Sequence, residues 1–217
     1  MKKCIIIANG KCPKKSEIKY FVEQGYSTII CADGGANSAM KLKIIPDYII
    51  GDLDSVEEST LKYFKGISQI IQFKRQNDTD VEKCLKFAIK KNFTKAVLLG
   101  STGDRLDHSI CNLGIVLKYY DKIKIYLLSG ESFLVPVKGK CNFNSSKGEL
   151  ISIYGFDKKT KFTSTGLKYP LKNISLPFGE KESTSNRAVK DKVGLKTNGG
   201  VGFVIRYFKM IKNHGLF

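Results

Sequence analysis

The chain has 217 residues, 42% hydrophobic and 26% charged, a balance that supports a packed core and excludes a disordered polypeptide. The formal net charge is +17, with 21 Lys and Arg against 14 Asp and Glu in residues 1–130 and 16 against 6 in residues 131–217. That charge attracts anionic ligands, but the lysines are interleaved with apolar residues as on solvated faces, which argues against a dedicated nucleic-acid surface.

Short apolar runs alternate with helical patterns through the first half. Residues 4–8 read as a buried strand that breaks at Asn9-Gly10, too early for the apolar core of a secretory leader. Ile18, Phe21 and Val22 make a helical face within 15–23, and 27–32 is the next strand, ending at Asp33-Gly34-Gly35. A short helix is expected over 36–43, a strand over 47–50 ending at Gly51-Asp52, a helix around 60–64 and a β-like run over 67–73. The clearest helix spans 79–91. Its residues Val81, Leu85, Ala88 and Ile89 share one face, and Asp78 or Thr79 can cap its start. A buried strand over 96–99 ends at Gly100, 107–119 is helical, and 124–128 is a strand. Such alternation predicts a Rossmann-like, open and mostly parallel α/β sheet with helices on both faces.

The pattern changes after Ser129-Gly130. Residues 133–137, 150–154, 160–165, 188–197 and 202–207 read as strands joined by Gly-, Asn-, Asp- and Ser-containing turns, with no convincing long helix. An all-β sandwich or jelly-roll-like domain is expected. The boundary near 130–137 gives two domains, 1–130 and 131–217. No apolar stretch approaches the ~20 residues needed to cross a bilayer, so no membrane partner is expected and the protein is expected to be cytoplasmic.

Six cysteines and two histidines lack the short spacing of a zinc site, and reduced thiols are expected. The chemistry sits instead where acidic and glycine-rich segments follow strands, because open α/β sheets bind ligands beyond the carboxyl ends of their strands. Asp52 and Asp54 stand two apart, so an extended backbone would point both to one side. Joined by Asp80, they make a hard oxygen site suited to Mg²⁺ and to the phosphates that complete its shell. Gly34-Gly35 and Gly100-Ser101-Thr102-Gly103 permit close backbone approach to phosphate oxygens, although neither is a Walker A or dinucleotide fingerprint. Arg105 can neutralise phosphate charge in a fork, while His108 reads equally as a histidine at a helix start.

Several ordered segments resemble the motifs of thiamine pyrophosphokinases. They are Asp33-Gly34-Gly35-Ala36-Asn37, Pro46-Asp47 through Gly51-Asp52-Leu53-Asp54-Ser55, Asn77-Asp78-Thr79-Asp80, Leu99-Gly100-Ser101-Thr102-Gly103-Asp104-Arg105-Leu106-Asp107-His108 through Asn112, and Ser183-Thr184-Ser185-Asn186. The resemblance implies an N-terminal ATP-binding α/β catalytic domain, a C-terminal thiamine-binding β-sandwich, and a homodimer with active sites between subunits. It implies an Mg²⁺-dependent enzyme that moves a pyrophosphoryl group from ATP to the thiamine hydroxyl, giving thiamine diphosphate and AMP. Asp52, Asp54 and Asp80 would then handle Mg²⁺ and the phosphates, with Asp33 close by. Gly34, Gly35, Asp78, Thr79, the segment from Gly100, Ser101, Thr102 and Gly103 through Arg105, Asp107 and His108, and Asn112 would contact the nucleotide. Ser183, Ser185 and Asn186 would contact thiamine. Either Asp80 or Asp54 would accept the hydroxyl proton. The chain departs from the family pattern at Asn77 and Arg187, where acidic residues are common, and it has no tryptophan to stack on thiamine; Phe203 or Tyr207 could stack there, but a core role is expected before it for either. Two other classes compete: a different ATP-dependent transferase on the same fold, and a nucleic-acid-binding protein, which leaves the acidic segments unexplained.

Overall fold

The isoleucine run after Lys3 becomes an inner strand, flanked on both sides by parallel neighbours. In the computed structural model, which describes residues 1–73 and 77–215, the chain divides into two units, Met1–Gly130 and Glu131–Phe217. The first contains β1 (Lys2–Ile7), α1 (Lys15–Glu23), β2 (Thr28–Ala32), α2 (Gly35–Lys41), β3 (Tyr48–Gly51), α3 (Glu58–Phe64), β4 (Gln69–Gln72), α4 (Asp80–Lys90), β5 (Phe93–Leu99), α5 (Leu106–Tyr119) and β6 (Lys124–Ser129). The strands lie in the order β6-β5-β1-β2-β3-β4, and every pairing among them is parallel. Strands flanked on both sides need apolar side chains on both faces, and Cys4, Ile5, Ile6 and Ile7 of β1 are fully buried with Ala96–Leu99 of β5 beside them.

The strand order also sets where the helices go. The chain steps from β1 to β4 in one direction and from β4 through β5 to β6 in the other. Right-handed crossovers therefore put α1, α2 and α3 on one face and α4 and α5 on the opposite one. The switch in direction falls between β1 and β5, where the loops after the two strands meet. Ala8 N–H donates to Leu99 O at 2.8 Å, Gly10 N–H to Gly100 O at 2.7 Å and Lys11 N–H to Thr102 O at 2.8 Å. Gly10 permits this zipper, because a Cβ there would lie 2.4 Å from the Thr102 carbonyl oxygen.

The second unit contains β7 (Ser132–Val137), β8 (Lys140–Asn144), β9 (Leu150–Tyr154), β10 (Lys161–Thr165), β11 (Lys172–Ser175), β12 (Ser183–Arg187), β13 (Lys192–Asn198), β14 (Gly202–Tyr207) and α6 (Phe208–His214). Its strands run β12-β9-β14-β7 in one antiparallel set and β11-β10-β13-β8 in another. The alternating burial of β10 and β13 gives each a core face and a solvent face. The expected class, a largely parallel α/β sheet followed by an antiparallel β-rich part, is the one observed.

Local departures have physical causes. Strands β8, β11 and β12 were not separable by pattern, because their residues are mostly polar or lysine-rich and only a few are buried. The run over 188–197 is a strand only from Lys192, the segment before it turning through Lys190 and Asp191. Helix α6 is too short for a helical period to register. The six cysteines are free, Cys4, Cys31 and Cys84 are buried, and burial pushes the Cys4 thiol up to about 12. No helix among the described residues is long and apolar enough to cross a membrane.

An ion pair lies in the core of the second unit. The Arg206 guanidinium donates from Nε to Glu149 Oε1 at 2.6 Å and from Nη2 to Glu149 Oε2 at 3.0 Å and Asn144 O at 2.7 Å. Both side chains are essentially inaccessible, and the guanidinium stacks 4.5 Å from the Phe143 ring centroid. Removing one member strands the other's charge in the core. Glu149→Gln or Arg206→Met is therefore expected to cost about 3–5 kcal/mol in urea unfolding, whereas exchanging both for apolar residues of similar volume recovers most of the loss.

Candidate active site

The carboxyl ends of β2 and β3 and the start of α4 bring three carboxylates together. Oxygen atoms of Asp33, Asp52 and Asp80 lie within 4.8 Å of one another. Asp33 follows β2 with φ +47, a left-handed conformation that Asp tolerates better than bulkier residues, and its N–H donates to Ile50 O at 2.9 Å. That turn starts α2 immediately. Gly35, the first residue of α2, lies so close to β1 that a Cβ would meet the Ile7 carbonyl oxygen at 2.0 Å. The Gly34-Gly35 pair thus has a packing role that needs no ligand.

Asp52 leaves β3 into a tight loop that is tied down from three sides. Gln72 donates to Asp52 O at 2.9 Å, Ser55 N–H donates to Asp33 Oδ2 at 3.2 Å, and Asn37 donates to Ser55 O at 2.9 Å. Asn37 also accepts from Glu57 N–H at 3.1 Å. Leu53 sits at φ +70, so the chain between Asp52 and Asp54 is not extended. The same-side rule for residues two apart therefore does not apply. Asp54 instead accepts from the Ser55 hydroxyl at 3.0 Å and remains exposed outside the trio.

Asp80 opens α4, whose cap is Thr79: its hydroxyl oxygen accepts from Glu82 N–H at 3.3 Å. Asp78 pairs with Lys86 at 2.7 Å. One turn along the helix, buried Lys83 donates to Asp80 Oδ1 at 2.7 Å and lies 3.6 Å from Asp52 Oδ2. Among the described residues Asp33 has no such cation. It is 3% exposed, its Oδ1 has no hydrogen-bond partner among the described residues, and burial together with the Asp80 charge pushes its carboxyl upward despite bonds from Ser55 and Gly34. At an effective dielectric near 20, two carboxylates ~5 Å apart repel by roughly 3 kcal/mol. A hard cation among these oxygens reverses that sign, and the donor set fits Mg²⁺, which takes carboxylate oxygens and keeps waters or phosphates for its remaining positions.

The other predicted residues have definite places. Asn112 is buried on α5 and donates to Ser101 O at 2.7 Å, holding the loop after β5, while Thr102 and Ser129 share a 2.6 Å hydroxyl contact. The Ser101 hydroxyl is buried without a partner among the described residues. Arg105 forms a two-bond fork to Asp107 at the start of α5, and the fork holds the Asp107 carboxyl at about 2. His108 is exposed, 4.0 Å from Asp107. In the second unit, Asn186 is buried, donates to Tyr169 O at 2.7 Å and Ser183 Oγ at 3.2 Å, and accepts from Tyr169 N–H at 3.1 Å. Ser185 lies at φ +53 where β12 shifts register against β9, and the residue is exposed. Phe203 is buried edge-on against Phe156, which makes it a core residue, and Tyr207 is partly exposed.

A family model described as "Thiamin pyrophosphokinase, catalytic domain" matches residues 22–127, and one described as "Thiamin pyrophosphokinase, substrate-binding domain" matches residues 132–202. The chain belongs to the thiamin pyrophosphokinase family. It is 32% identical over 188 residues to "Thiamine pyrophosphokinase 3" of Oryza sativa subsp. japonica, a match covering 72% of this chain and 69% of that protein. It is 28% identical over 218 residues to "Thiamine pyrophosphokinase 1" of Arabidopsis thaliana, covering 86% and 79%. The solved structure of thiamine pyrophosphokinase from Bacillus subtilis superposes with a TM-score of 0.80 at 24% identity, covering 95% of this chain and 99% of that one. That of thiamin pyrophosphokinase from Candida albicans gives 0.82 at 19%, covering 95% and 89%. At these identities the superpositions establish the fold.

Sequence reasoning overlooked two charged residues of α4 that this member of the family buries, Glu82 and Lys83. Lys83 was legible as the i+3 partner of Asp80. For Glu82 the local signal was only its i+4 pair with Lys86 at 3.5 Å, because its hydrogen bonds come from α5: Lys118 Nζ and the Tyr119 hydroxyl each donate to Glu82 Oε1 at 2.6 Å. Glu82 therefore pins the helix that carries Asp80. Burial pushes its carboxyl up, but the bonds from Lys118 and Tyr119 outweigh that and hold it below its ordinary 4.5. A depressed carboxyl contributes stability in full above the unfolded value and loses it as pH falls through the folded value. Glu82→Gln is expected to cost about 1–3 kcal/mol in urea unfolding at pH 7, with the gap from wild type closing below pH ~4.5.

Proposed function

We propose that this chain transfers the pyrophosphoryl group of ATP to the hydroxyl of thiamine, releasing AMP. The observation that carries the reading is the convergence of Asp33, Asp52 and Asp80 at the carboxyl rim of a parallel sheet, in a chain of this family. The thiamine hydroxyl oxygen forms a bond to the β-phosphorus as the bond from that phosphorus to the bridging α–β oxygen breaks, and AMP takes the bridging oxygen with its electron pair. Mg²⁺, when bound, neutralises the charge that collects on the transferring group.

The chain's own residues position and hold. Asp33, Asp52 and Asp80 would carry the cation. The loop after β5, held by Asn112, offers its backbone and the Ser101 and Thr102 hydroxyls to phosphate oxygens, and Arg105 at the start of α5 can exchange Asp107 for a phosphate. Asp80 already accepts from the Lys83 ammonium, whereas exposed Asp54 accepts from a neutral group, the Ser55 hydroxyl, so Asp54 is the better placed acceptor for the thiamine hydroxyl proton. In the second unit, the match to a substrate-binding domain supports thiamine recognition there. Ser185 presents the hydroxyl, and Asn186 and Ser183 shape the segment by fixing Tyr169. A homodimer belongs to the same reading.

Purified protein given ATP, Mg²⁺ and thiamine is expected to yield AMP and thiamine diphosphate in equal amounts, followed by chromatography and abolished by EDTA. Asp33→Asn, Asp52→Asn and Asp80→Asn should each lower turnover ~10²-fold or more while circular dichroism is unchanged. Wild-type turnover in all three would sink the site. AMP or ADP without thiamine diphosphate would point to another acceptor alcohol.

A further inference from the structure

Among the described residues of the acidic rim, Lys83 is a charged group that the transfer chemistry leaves without a task. A lysine is rarely buried, yet this ammonium lies on a side chain 6% exposed, between Asp80 at 2.7 Å and Asp52 at 3.6 Å. Three carboxylates and one ammonium leave the cluster a formal charge of −2, the charge one divalent cation cancels. We propose that Lys83 is the built-in counter-ion of this site: it holds Asp52 and Asp80 together when no metal is bound, and its charge sets the affinity with which a divalent cation enters. This inference rests on the reading of Asp33, Asp52 and Asp80 as metal ligands.

Two effects of the lysine oppose each other. It preorganises two carboxylates, which favours the metal, and it places a positive charge beside the metal's position, which disfavours it. The carboxylates are also positioned by bonds that do not involve Lys83. Gln72 holds the Asp52 backbone, Ser55 N–H holds Asp33, and α4, capped by Thr79 and pinned by Glu82, holds Asp80. Preorganisation therefore survives loss of the lysine in large part. The repulsion does not, and for a doubly charged ion it is twice that of a unit charge at the same separation. The ammonium thus weakens divalent binding and stabilises the metal-free protein, keeping the cation exchangeable.

Titration of metal-stripped, nucleotide-free protein with Mn²⁺, read by electron paramagnetic resonance, tests this together with melting curves in EDTA and in Mn²⁺. Lys83→Met is expected to bind Mn²⁺ ~10-fold more tightly than wild type. It should melt lower than wild type in EDTA and gain more from Mn²⁺. Lys83→Arg, which keeps the charge, should stay within about 3-fold of wild type in affinity. Should the methionine variant not fold, Lys83→Gln carries the same expectation. Equal or weaker Mn²⁺ binding in the neutral variants, or an arginine variant that behaves like them, overturns the inference. Asp80→Asn separates the two readings. Loss of Mn²⁺ binding there with unchanged affinity in Lys83→Met removes the role of Lys83 alone. Retention of wild-type affinity in Asp80→Asn, or no Mn²⁺ binding by wild type, removes the metal reading and this one with it.

Discussion

Repulsion among Asp33, Asp52 and Asp80 is the constraint to which the surrounding structure answers. Three carboxylates within 4.8 Å do not stay together unaided, and each is restrained by a different part of the chain. A left-handed turn presents Asp33, a loop laced to Asn37, Gln72 and Asp33 itself presents Asp52, and a capped helix presents Asp80. Lys83 supplies the countercharge to two of them. Among the described residues, Asp33, buried with one oxygen unpartnered, is the member whose ionised form is satisfied least.

The parallel sheet is what makes this geometry affordable in sequence terms. Strands β1, β2, β3 and β5 are buried apolar runs that end together, so short loops after them converge without long connections. Close packing of those loops uses glycine where backbone meets backbone, as at Gly10 against Thr102 and Gly35 against Ile7. Glycines that look like a phosphate cradle in sequence are therefore first a requirement of the sheet's rim. The two roles are compatible, since both need a backbone without a side chain.

Polar residues that read as ligand contacts often hold the scaffold. Asn112 and Asn186 are both buried, and both use their amides to fix the backbone of a neighbouring loop. Arg105, which reads as a phosphate contact, is engaged instead by Asp107. Such residues shape a site as surely as those that touch a ligand, but side-chain type in a sequence does not distinguish the two duties.

The alternation of apolar runs and helical faces was enough to read the parallel α/β sheet and the switch to antiparallel strands after Gly130, because burial on both faces or on one leaves a local pattern. The order of motifs was enough to read the family, and the position of acidic residues after strands was enough to mark the rim. Tertiary structure decided the rest. Leu53 at φ +70 turned Asp54 away from the trio, and Asp33 entered it from another strand. Glu82 found its hydrogen-bond donors 36 and 37 residues away on α5, and Arg206 found Glu149 57 residues away in the second unit. Local sequence carries periodicity and turn chemistry; it does not carry a backbone dihedral imposed by packing, nor the identity of a charge that arrives from a distant element.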